Sequence, residues 1–289
     1  MSYWLFIVQH FSVSLVLALS CYLVLRSGEI SFGQQAFFGI GAYAGASATV
    51  MFGWPLAAAL VVATLAAGLT AWFVGQSICR SVGFRFTLLT LVFGEFVRAL
   101  LGRLNWVKEI NGRDAGPQGA LGFSGIEYYF EHGLSVWEQA AIAVAAALCC
   151  LLAIALLERG AIGRRIRAVA VDPGLAANVG INPVHTRLQA FVAAGAIAGL
   201  GGAVFAHQAS YIEPANFSLM SGVHAVAYTL LGGLTNVFGP AIGTFIDVGL
   251  LEGLRITGPY RMVSFGVLIV VVLIVFPHGV LGRIRSKDR

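Results

Sequence analysis

Residues 139–157 read QAAIAVAAALCCLLAIALL, and residues 158–187, which follow, read ERGAIGRRIRAVAVDPGLAANVGINPVHTR. The first stretch carries no charge and approaches the ~20 residues that cross a bilayer's hydrocarbon core. The second sets Arg159, Arg164, Arg165, Arg167 and Arg187 against only Glu158 and Asp172. A second apolar run, Leu188–Gln208, comes next. An apolar run, a short basic loop and another apolar run are the pattern of a chain that turns at the cytoplasmic face of a membrane.

The same pattern extends in both directions. Further candidate spans are Tyr3–Leu25, Phe32–Phe52, Pro55–Ile78, Phe86–Leu104, Met220–Leu234, Val237–Gly253 and Met262–Phe276. Met220–Leu234 is short for a span and suits a re-entrant or broken helix. Ser2–Leu25 is too long for the apolar region of a signal peptide and no Lys or Arg precedes it, so it is expected to be a retained first span. The expected fold is an all-α integral membrane protein, a polytopic bundle of about eight or nine transmembrane or partly re-entrant helices at ~20 residues per span. It forms one membrane domain over residues 1–289.

Composition agrees. Of 289 residues, 58% are hydrophobic and 11% charged, and 36 are glycine. Soluble domains carry about 25% charged residues, so a soluble enzyme, a disordered chain and a nucleic-acid-binding module are excluded. The net charge of +5 is the basic bias of cytoplasmic loops, and no nucleic-acid partner is expected. The loop from Asn105 to Glu138 is acidic: Glu109, Asp114, Glu127, Glu131 and Glu138 outnumber Lys108 and Arg113. It is placed outside. The tail with Arg283, Arg285, Lys287 and Arg289 is placed inside, so the C-terminus is cytoplasmic. Arg255 and Arg261 fall in a loop this scheme puts outside, with Asp247 and Glu252 as candidate partners.

The glycines are patterned. Gly41 and Gly45, Gly195 and Gly199, and Gly239 and Gly243 each share a helix face at small-xxx-small spacing, which lets another backbone approach closely. They are read as helix-packing positions. The four cysteines, Cys21, Cys79, Cys149 and Cys150, sit in or beside apolar runs and are read as small packing residues.

Catalytic motifs are missing from the sequence. The two lysines, Lys108 and Lys287, do not follow a glycine-rich loop, so there is no Walker A motif. There is no H-E-x-x-H or G-x-S-x-G, no metal-ligand spacing, and no cofactor is expected. Ionisable and polar residues inside spans are costly and therefore informative. Glu95 and Arg98 lie three apart and can pair, either as an internal ion pair that fixes packing or as a contact for a zwitterionic solute. Gln34, Gln35 and Asp247 are the other intramembrane polar candidates.

The basic loop contains two short helical patterns. Ile162, Ile166 and Val169 fall on one face of the first. Asp172 and Pro173 suit the N-cap and first position of the second. Gly180 suits its stop, and Asn182-Pro183 ends the element. Leu175 and Val179 form an apolar pair on this second helix, suited to lipid, to self-packing or to a cytosolic partner.

Ala176-Ala177-Asn178-Val179-Gly180-Ile181-Asn182 resembles the cytoplasmic coupling loop of ABC importer permeases. The stretch from Ser27 to Tyr43 (SGEISFGQQAFFGIGAY) resembles the glycine-rich early motif of the LivM-type permeases of branched-chain amino acid uptake. Thr90–Arg98, Leu231–Gly243 and Phe276–Gly282 resemble that family's later motifs, in the same order. The chain departs from the family at Gln34 and Gln35, one of which often gives way to His there, and in the outer turn Asn111–Gly116.

The resemblance implies a multi-pass permease subunit of the bacterial inner membrane, surrounded by membrane lipid, that does no covalent chemistry. Its implied partners are a related, non-identical second permease chain, two cytosolic ATPase subunits and a periplasmic solute-binding protein. It implies that Asp172, Leu175, Ala176, Ala177, Val179, Gly180, Ile181 and Asn182 couple to the ATPase. The solute would be a branched-chain amino acid or a similar small polar molecule. The alternative is a secondary transporter driven by an ion gradient, for which Asp247 would be the charged midplane site.

Overall fold

The computed structural model describes residues 2–110, 113–252, 261–276 and 279–280. The expected pairing of Arg255 and Arg261, the Asn111-Gly112 turn, the basic tail and part of the Phe276–Gly282 motif lie outside the described residues.

Four helices are long and apolar enough to cross a membrane: α1 (Ser2–Leu25, counted from Tyr3), α3 (Leu56–Ile78), α6 (Val136–Arg159) and α9 (Pro183–Ala209). Shorter helices fill the other expected spans: α2 (Gln34–Val50), α4 (Phe84–Leu101), α10 (Leu219–Gly232) and α12 (Arg261–Val275). The expected span Val237–Gly253 is not one continuous α-helix. It is α11 (Gly239–Thr244) continued by a π-helical segment, Phe245–Glu252. The 14 residues of α10 reach only about 21 Å at 1.5 Å each, short of the ~30 Å hydrocarbon core.

The bundle has two ends. At one, residues 158–187 form the basic loop with α7 (Ala161–Val171) and α8 (Pro173–Asn178). At the other, β1 (Lys108–Ile110), β2 (Arg113–Pro117) and β3 (Phe123–Ser124) make an antiparallel sheet in that order, followed by α5 (Tyr128–Glu131). Helix α1 begins at the sheet end, where Gln9 donates to the Val136 carbonyl at 3.4 Å. It ends at the loop end, where the Tyr22 hydroxyl donates to Glu158 at 2.7 Å. The sheet was not expected from sequence, since its short strands alternate too few residues to show a period.

Small residues set the packing. Ala59, Ala63, Ala67 and Ala71 of α3 are fully buried at intervals of four and face α9. In the sequence this ladder is masked by the many other alanines of α3. A Cβ on Gly199 would collide with Ala67, one on Gly195 with Ala71 at 2.5 Å, and one on Gly45 with Ala203 at 2.7 Å. At Gly41 the obstacle is the backbone of Gly199 itself, so α2 and α9 touch main chain to main chain. Gly239 and Gly243 of α11 press likewise on the backbone of Gly233 and Tyr228. Outward, α3 presents Val61, Leu65, Leu69, Trp72 and Phe73, and α6 presents Leu148, Leu152 and Leu156. Small residues inside and large apolar ones outside are the distribution of a lipid-solvated bundle.

Gly41→Ala is therefore expected to destabilise the detergent-solubilised protein by roughly 1–3 kcal/mol, the usual cost of overpacking. Gly266→Ala in α12, where a Cβ meets nothing within 4 Å, should not. Thermal unfolding of the two variants side by side checks this.

Cys21, Cys79 and Cys150 are buried as expected, whereas Cys149 is exposed on the outward side of α6. Burial pushes the Cys79 thiol up to about 12, partly opposed by the nearby Arg187 guanidinium, so it stays a neutral packing group.

Candidate coupling site

The basic loop folds as two short helices joined at Asp172. In α7, Ile166 and Val169 are buried, while Ile162 is partly exposed, so only two of the three expected apolar contacts form. Arg167 donates to the Glu158 carbonyl at 3.0 Å, and a Cβ on Gly163 would strike the Glu158 backbone. Helix α7 is thus folded back tightly on the end of α6. The Glu158 carboxylate also accepts from Tyr22 at 2.7 Å and from Arg26 at 3.2 Å, which fastens this corner to α1.

Helix α8 is short and capped at both ends. The Asp172 carboxylate accepts from the Gly174 and Leu175 amides at 2.8 and 3.0 Å, with Pro173 in the first turn. At the other end the Gly180 amide donates to Ala177 and the Ile181 amide to Ala176, both at 3.0 Å. Gly180 has φ +82°. These two bonds around a left-handed glycine are a Schellman stop. The Asn182 side chain then accepts from the His185 amide at 3.1 Å and caps α9.

The expected coupling residues divide accordingly. Asp172 and Asn182 are caps, Ala176 is buried and Ile181 is half-buried, so they shape the element. Ala177, Val179 and Gly180 are exposed, as is Leu175. Leu175 is 65% exposed and Val179 74%. A Cβ at Gly180 meets nothing within 4 Å, so close approach at this position is not made within the chain itself. Val171 was missed. It is exposed and lies four residues before Leu175, and that spacing was the available signal.

A buried ion pair beneath this element was also missed. Arg187, in the first turns of α9, lies 3.3 Å from the Glu29 carboxylate, with 8% and 4% of the two side chains exposed. The other Glu29 oxygen accepts from the Gly83 amide at 2.7 Å. One carboxylate thus joins the α1–α2 turn, the α3–α4 turn and the start of α9. The Cα of Ala170 would sit 3.3 Å from a Cβ on Gly28, so α7 bears on the same turn. Helix α7 thus bears on a turn that is tied to α1, α2, α3, α4 and α9.

The intramembrane candidates are placed as follows. Glu95 and Arg98 pair at 2.7 Å, but 35% and 41% of their side chains are exposed. The pair is not internal: it lies on the outside of this chain because α4 turns its glycine-and-threonine side, Thr90 and Gly94, toward α2. Gln34 and Gln35 are fully buried, donating to Ser31 at 3.4 Å and to the Phe32 carbonyl at 2.6 Å. Asp247 is buried and accepts from the Tyr228 hydroxyl at 2.7 Å. These groups do not converge with the coupling element. Among the described residues no cluster of His, Cys, Asp and Glu is arranged to hold a metal.

The outward apolar faces and the four long apolar helices define a helical membrane protein, with a capped, outward-facing helix at its basic end. The family profile described as "Branched-chain amino acid transport system / permease component" matches residues 3–275, and the chain belongs to this family. It is a multi-pass membrane permease component. It is similar to the high-affinity branched-chain amino acid transport system permease protein LivM of Salmonella typhimurium, 26% identical over 98% of this chain and 73% of that protein. The LivM of Escherichia coli matches equally. The permease protein LivH of Escherichia coli is 31% identical over 50% of this chain and 47% of that protein. No solved structure matches significantly.

Proposed function

We propose that this chain is one of two non-identical permease subunits of an ABC importer for branched-chain amino acids or a similar small solute. Two cytosolic ATPase subunits drive it and an external binding protein delivers the solute. The relatives named LivM and LivH support the solute class and the related second chain. The observation that carries the coupling is α8: a helix rigidly capped at both ends that leaves Leu175 and Val179 without apolar cover. Burying each against a partner is worth roughly 1.5–3 kcal/mol. The site residues would then be Leu175, Ala177, Val179 and Gly180 as the contact, with Asp172, Ala176, Ile181 and Asn182 as its frame.

The reading places the basic end in the cytoplasm and the sheet end outside. Because α1 begins at the sheet end, the N-terminus would then lie outside, and the C-terminus inside. A cysteine at Phe130, exposed at the sheet end, is expected to react with an impermeant thiol reagent added to intact cells. One at Val171 should react only after permeabilisation, and the reverse pattern would invert the topology.

The function is tested by affinity purification of this chain in mild detergent from its native membrane. A protein with a Walker A motif should co-purify in twofold excess over this chain. A chain that purifies alone while still transporting would overturn the assignment.

A further inference from the structure

Along α4, Leu91, Glu95 and Arg98 share one face, since residues four and seven apart stack on a helix. A neighbouring face presents Val92 and Phe96, both exposed. The two faces suit different surroundings. The apolar one suits lipid or another helix. The other carries an ion pair more than one-third exposed, in the last two turns of α4. A charged pair turned to lipid is expensive, and such residues ordinarily face a bundle interior or a water-filled cavity. In this chain alone that face is open, and water or a polar partner in the assembled transporter would cover it.

The pair is also chemically unfinished. It uses the Arg98 Nε and one Glu95 oxygen. The second carboxylate oxygen and both terminal guanidinium nitrogens make no further hydrogen bond among the described residues. Behind it, the Gln35 side chain fills the seam between α4 and α10. A Cβ on Gly94 would lie 2.7 Å from its amide nitrogen, and one on Gly222 would strike its Oε1. That Oε1 is buried without a hydrogen-bond partner, in a place where two glycines rather than side chains separate it from the α4 and α10 surfaces.

We propose that the Glu95–Arg98 face of α4, backed by Gln35, lines the water-filled route between this chain and the second permease. There it contacts a small zwitterion, with the ammonium group at the free Glu95 oxygen and the carboxylate at the Arg98 terminal nitrogens. This rests on the permease reading and adds the residues that meet the solute. It also accounts for an ion pair made by a single hydrogen bond: donor and acceptor capacity is left for a ligand bearing both charges.

The test uses the complete transporter in proteoliposomes, with single cysteines read against the wild-type background and a charged methanethiosulfonate as probe. Leu91→Cys is expected to react in at least one nucleotide state, and Val92→Cys to stay inert. In parallel, Glu95→Gln with Arg98→Gln should leave the complex assembled, judged by ATPase co-purification, while uptake of radiolabelled leucine falls at least tenfold. Two results overturn the proposal. One is Leu91→Cys inert in every state, including the case where a cysteine at Arg98 alone reacts, which would mean an arginine reaching the outer interface. The other is full uptake by the double variant. Assembly with the ATPase and wild-type uptake, measured in the same vesicles, show whether the permease reading itself holds.

Discussion

Arg187→Met is expected to cost on the order of 3–5 kcal/mol of stability, because it leaves the Glu29 carboxylate buried without its counter-charge. Glu29→Gln should cost a similar amount by stranding the guanidinium, whose Nε already lacks a hydrogen-bond partner. The double variant should recover much of the loss, since a buried pair replaced as a unit is often close to neutral. Denaturation of the purified protein in detergent measures all three. Equal losses in the single and double variants would show that the pair contributes through another contact, such as the bond from the Gly83 amide. The contrasting case is Glu95→Gln. That pair is substantially exposed, so its removal should change stability by about 1 kcal/mol or less.

Gly180→Arg should abolish association with the ATPase while the chain still inserts and folds. Two separate terms are involved. The left-handed backbone at φ +82° costs any non-glycine residue about 1–3 kcal/mol. The side chain itself meets open space, with nothing within 4 Å in this chain. Gly180→Ala carries the same backbone strain with almost no bulk, so it isolates the first term. If coupling runs through α8, Ala should weaken solute-stimulated ATP hydrolysis modestly and Arg should eliminate it. Normal uptake by Gly180→Arg would remove α8 from the coupling path.

Helix α8, with the ion pair beneath it, shows what a sequence can and cannot display. Its ends were legible because capping is local: Asp172-Pro173 and Gly180 act on amides and carbonyls within three residues of themselves. The apolar runs were legible because hydrocarbon imposes length and composition on every span. The Glu29–Arg187 pair joins residues 158 positions apart across two turns, and no periodicity links them. Glu95 and Arg98 show the intermediate case. Their spacing announced the pair, but whether it faced inward depended on which side of α4 met α2. That was decided by Thr90 and Gly94, small residues whose role appears only against the α2 backbone. The alanine ladder of α3 was present in the sequence as a period of four, hidden in a run where alanine is common.

The most direct measurement is leucine uptake into proteoliposomes holding this chain with its second permease and ATPase subunits, the binding protein outside and ATP inside. Uptake is expected to require both ATP and the binding protein, and to be indifferent to a protonophore and to sodium. Accumulation that follows an imposed ion gradient without ATP would contradict the account and make the buried Asp247 the first residue to examine.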